Sequence, residues 1–81
     1  MEKALILEHL ALAKRQAEDG ETRIAGQKHI IAVLSERGQD TTQALSILAT
    51  FEAAQNIRLA AMNRLLNALD DGEERGHYPL R

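Results

Sequence analysis

The residues able to do chemistry are few, and their spacing limits what each could do. Gln27, Glu52, Gln55 and Asn56 are polar groups at or beside positions where the surrounding apolar spacing calls for a core. Such a layer could hold a small ligand or an ion. It could also fix the register and number of packed helices, as single polar core residues do in coiled coils, and this second reading is preferred for Gln27, Glu52 and Gln55. Glu52 is the sharpest case, because a carboxylate set among apolar side chains needs a cation beside it, such as Arg58 or a residue of a partner chain.

The histidines offer less. His9 would lie near Asp70 or Asp71 if the chain folds back on itself, His29 stands alone, and Glu74 and His77 have the spacing used in di-iron bundles. Gly76 argues against a helix at that last pair, and a bound metal needs three or four converging ligands, so no metal or other cofactor is expected. Ser35, Ser46, Thr41, Thr42 and Thr50 have no histidine base placed beside them, and no glycine-rich phosphate loop is present. No catalytic residue is assigned, and the expectation is a protein that is not an enzyme.

The elements that must position these groups read as helices. From Glu2 to Arg37 no proline occurs, and Ile6, Leu10, Ala13, Ala17, Gly20, Ile24, Ile31 and Leu34 follow a spacing of four and three, with Gln27 filling the one gap. This is a heptad seam, the pattern of one helix packing along another. "SERGQDTTQ" then supplies a stop and a restart. Gly38 suits the left-handed position after a helix C-terminus, while Asp40 with Gln43 reads as a capping box and Thr41 as an alternative cap. The second seam is Leu45, Leu48, Glu52, Gln55, Leu59, Met62, Leu66 and Leu69.

Gly20 admits two readings. "EDGET" could end one helix at the glycine and start another at Thr22, giving a three-helix bundle; alternatively the glycine lets a second helix come close. The apolar phase is unbroken from Ala17 to Ile24, which favours a continuous helix. In an antiparallel hairpin, Gly20 then opposes Leu59, Ala17 opposes Met62 and Ala13 opposes Leu66, small against large, so that facing layers interdigitate.

The expected architecture is therefore all-α: an antiparallel hairpin of two long helices over residues 1–70 (helix about 2–37, turn 38–40, helix about 41–70). Residues 71–81, with two glycines, a proline and dense charge, read as a flexible tail. Both helices carry apolar residues beyond what a lone hairpin can bury, which points to a homodimer forming a four-helix bundle. Its interface is expected at Ile47, Phe51, Ala54, Ala61 and Leu65 of the second helix.

Composition narrows the function classes. Only 2% of residues are aromatic and none is cysteine, which disfavours β-rich folds and removes disulfides and thiolate metal sites. Net charge is −2 with acids and bases interspersed, so no polyanion-binding field is evident and nucleic acid is disfavoured as a partner. "ALILEHLALA" is interrupted by Glu8 and His9 and falls short of a membrane span, so a cytoplasmic location without membrane contact is expected.

Three segments carry a resemblance. Asp19-Gly20-Glu21-Thr22-Arg23-Ile24-Ala25-Gly26-Gln27, the turn Gly38-Gln39-Asp40-Thr41, and Leu48 through Phe51-Glu52 to Gln55 resemble segments shared by a group of short, mostly uncharacterised bacterial all-helical proteins. The likeness covers about residues 9–69. It implies no known activity, ligand or catalytic residue. The reading that follows is a non-catalytic helical interaction or structural module that self-associates and docks another helical protein through its inter-helix grooves; a small nucleic-acid-associated regulator is the alternative, and a metal- or ligand-binding bundle a third.

Overall fold

The computed structural model describes residues 2–77, with side chains for residues 2–71. Two helices, α1 (Lys3–Glu36) and α2 (Thr42–His77), pack against each other as an antiparallel hairpin. The result is a thin rod with extents of 65 × 22 × 14 Å. Neither helix is long and apolar enough to cross a membrane among the described residues.

Helix α1 runs through Gly20 without a break. Thr22, which would cap a new helix had the chain broken there, instead donates its hydroxyl to the Glu18 carbonyl 3.2 Å away, one turn back in the same helix. A threonine bonded in this way is a helix-interior residue.

The reversal is built as the turn sequence suggests. Gly38 has φ of 69°, the left-handed region in which a Cβ is strained. Its N–H donates to the Ser35 carbonyl at 3.0 Å, and the Gln39 N–H donates to the Leu34 carbonyl at 2.9 Å. This pair of bonds closes the last turn of α1 and satisfies carbonyls that the helix end would leave open.

Helix α2 starts on a different residue pair from the expected capping box. The Asp40 carboxylate accepts from the Thr42 backbone N–H at 3.0 Å and from the Thr42 hydroxyl at 2.7 Å. These two bonds, the backbone one foremost, hold the Asp40 carboxyl below its ordinary 3.8.

The far end of α2 differs from expectation. The helix continues to His77, beyond the expected boundary at Asp70, so residues 71–77 are helix and not tail; residues 78–81 lie outside the described part. Glu73, Glu74 and Arg75 are good helix formers, and two isolated glycines cost about 1 kcal/mol each without forbidding the helix. Pro79, which would forbid it, falls past the helix end.

Two outcomes follow at the turn. Gly38→Ala should destabilise the hairpin by about 1 kcal/mol, the cost of a Cβ in the left-handed region, read from the urea midpoint at unchanged slope. Because Asp40 is more acidic folded than unfolded, its stabilising contribution is present above about pH 4 and lost as pH falls through the folded value. A carboxyl titration by NMR should place its midpoint below 3.8, and Asp40→Ala should remove that part of the acid-induced loss.

Candidate functional site

The candidate site is the line along which the helices meet. On α1, Ala17, Gly20 and Gln27 are buried, and Leu10, Ala13, Ile24, Ile31 and Leu34 are partly buried. On α2 the residues withdrawn from solvent at the same alternation of four and three are Ala44, Leu48, Phe51, Gln55, Arg58, Met62, Leu65 and Leu69. Ala44 and Gln55 are the buried members.

This line is turned by about 50° of helix from the expected one, because every second position moves back by one residue. Leu48, Gln55, Met62 and Leu69 belong to both. Leu45, Leu59 and Leu66 lie on the flank of the contact and are not enclosed in it; they are 49%, 43% and 42% exposed. Glu52 is exposed as well, so it is not part of a buried polar layer. Its position supplies the physical reason for the rotation: the expected line would strip water from a short carboxylate, whereas the observed line leaves Glu52 solvated, brings Phe51 inward and takes in Arg58, whose long side chain stays half-buried and reaches Gln55 Oε1.

The same rotation redistributes the residues expected at the dimer interface. Phe51 and Leu65 sit on the contact line with α1, and Ala54 and Ala61 are partly buried on its flank. Ile47 is 39% exposed.

Gln27 and Gln55 do not bond each other. Gln27 Nε2 donates to the Ala44 carbonyl on α2 at 2.9 Å, and Gln55 Nε2 donates to the Ala17 carbonyl on α1 at 2.8 Å. Each helix thus contributes one amide that grips the backbone of the other. A helical carbonyl keeps a second lone pair after its own helix bond, and alanine has nothing beyond Cβ to cover it. Among the described residues, no buried side-chain nitrogen or oxygen lacks a partner.

Gly20 makes room for the second of these bonds. A Cβ placed there would collide with Gln55 Oε1 and stand 2.9 Å from Arg58 Nη1. Gly20 therefore opposes Gln55 and Arg58, respectively one turn and one residue nearer the loop than the expected Leu59. Arg58 Nη1 in turn reaches Gln55 Oε1 at 3.4 Å, a long hydrogen bond over the glycine.

Two shallow grooves flank this point, each of about 410 Å³ and open to solvent. Ala17, Gln55, Leu59 and Met62 floor one, with Lys14, Glu18 and Glu21 at its rim, so Ala17 and Met62 share a wall even though Gln55 holds the closest approach. The other is lined by Glu21, Ile24, Lys28, Glu52, Gln55 and Asn56. His9, His29, Asp70 and Asp71 are exposed. No three of the described His, Asp or Glu side chains form a metal-sized group, and the Glu74 and His77 side chains lie outside the description.

The two interior glycines of α1 make a controlled pair, because a Cβ on Gly26 would meet nothing within 4 Å. Gly26→Ala should raise stability by about 1 kcal/mol through helix propensity alone. Gly20→Ala should lower it by roughly 1 kcal/mol, since displacing Gln55 costs a buried hydrogen bond that exceeds the propensity gain. In a Gln55→Ala background the Gly20→Ala penalty should vanish, a coupling that urea denaturation of the four proteins measures.

Compared with protein-family models, with curated proteins and with solved structures, the chain matches none.

Proposed function

We propose that the hairpin is a non-catalytic protein–protein interaction module that self-associates, in its simplest form as a twofold dimer whose two hairpins make an antiparallel four-helix bundle. The observation that carries this reading is the apolar surface that the hairpin leaves open. Ile6, Ala17 and Ala44 are the hydrophobic residues buried in the described part, against nine large ones left exposed, among them Leu12, Ile30 and Ile57.

The surface area puts a scale on it. The hairpin exposes 6378 Å², whereas a compact monomer of this mass exposes roughly 4,900 Å². The excess, on the order of 1,500 Å² per chain, is more than the roughly 800 Å² per partner that a standard protein–protein interface buries. Nine exposed large hydrophobic residues on so thin a rod are more than scattered surface leucines and mark an interaction surface.

Sedimentation velocity at micromolar concentration should report a mass about twice the 9.0 kDa of one chain, with helical content unchanged on moderate dilution. A folded monomer under those conditions would remove the proposal.

A further inference from the structure

The two helices differ in the faces they turn away from each other. The outward side of α1 carries Glu8, Arg15, Asp19 and Glu36, all exposed, as expected of a helix that stays in water. The outward side of α2 does not. From Thr42 to Leu69 its charged residues are Glu52, Arg58 and Arg64, and by helical spacing only Arg64 lies on the side opposite the contact line. That side is centred on Ile57, which is 69% exposed and the most exposed large hydrophobic residue described. Depletion of charge around an apolar centre is how interface cores differ from ordinary surface.

The sequence around Ile57 is "AAQNIRLAA", with Ala53 and Ala54 four and three residues before it and Ala60 and Ala61 three and four after. All four lie within reach of Ile57 on the helix surface, Ala53 and Ala60 exposed and Ala54 and Ala61 half-buried where that side borders the contact with α1. The placement of alanines reads alike in both directions, which is what an isologous contact between two antiparallel copies of one helix requires.

We propose that α2 pairs with α2 of a second copy, antiparallel, with the twofold axis passing at Ile57. This rests on the self-association reading and names its surface. Ile57 then meets its own equivalent, Ala53 faces Ala61 of the second copy, and Ala54 faces Ala60. The alanines let the backbones approach closely enough for the single large side chain at the centre to be enclosed. The flanks are complementary: Thr50 falls opposite Arg64 of the second copy. Thr50 donates its hydroxyl to the Ser46 carbonyl at 3.2 Å, which leaves the oxygen's lone pairs for the guanidinium.

The chain contains no cysteine, so one can be introduced on a clean background. Ile57→Cys, oxidised with diamide, should give a disulfide-linked dimer on a non-reducing gel, while Leu59→Cys, exposed on the other flank, should stay largely monomeric. Ile57→Arg, at a position that plays no part in the hairpin's own packing, should keep its helical circular dichroism and weaken dimerisation by at least roughly 100-fold. Dimerisation undiminished in Ile57→Arg, or cross-linking of Ile57→Cys no better than that of Leu59→Cys, would overturn this assignment and leave self-association to another flank. A wild-type monomer would overturn both.

Discussion

The structure depends on how closely two helices can approach when the contact is made to backbone. Gln55 reaches the Ala17 carbonyl because residue 20, one turn along, is a glycine, and Gln27 reaches the Ala44 carbonyl because alanine leaves it bare. A buried amide that loses its acceptor costs more than the bond is worth when made. Sliding α2 by one turn would orphan both amides together. Register in this hairpin is therefore set by two directional bonds, in a contact whose alanines and glycine would otherwise give little preference for one alignment.

The same choice shapes everything outside the contact. Close approach needs small residues, and small residues bury little apolar area, so the hairpin's own core is thin. The large residues that would thicken it, Leu45, Leu59 and Leu66 on one flank and Ile47 and Ile57 towards the other, are left in solvent. A lone two-helix rod thus satisfies its polar groups before it satisfies its apolar ones. That ordering separates the determinants of register, which are internal, from the source of further stabilisation, which must come from outside.

Much of this was legible in the residue spacing, and what was not has a physical cause. The continuous first helix, its whole contact line, the left-handed glycine at the turn and the close approach at Gly20 follow from periodicity and glycine's lack of a side chain. The second helix was ambiguous because two lines of four-and-three spacing share Leu48, Gln55, Met62 and Leu69 and differ only in whether Leu45, Glu52, Leu59 and Leu66 or Ala44, Phe51, Arg58 and Leu65 complete them. Leucine count favours the first. Desolvation of the short Glu52 carboxylate counts against the first, whereas the charge on the second, Arg58, sits at the end of a long, half-buried side chain and bonds Gln55 Oε1. The glutamine partners were hidden for another reason: a backbone carbonyl leaves no mark in the residue types, so side chains appeared to be the only acceptors on offer.

The helix–helix pairing proposed for α2 turns this economy into a link between folding and assembly. If α2 packs on α1 through one side and on its own equivalent through the opposite side, it becomes the inner helix of the bundle and α1 the outer, which accords with the charge on the outward side of α1 and its scarcity on that of α2 between Thr42 and Leu69. The inner helix then makes one contact mainly through large residues, among them Leu48, Phe51, Met62 and Leu65 towards α1, and one through small ones, Ala53 and Ala60 towards the second copy. Because the hairpin alone leaves so many large hydrophobic residues in solvent, the helix gains most when both contacts form. Stability of the hairpin would then rise with protein concentration, since a species that binds only the folded state draws the folding equilibrium towards it.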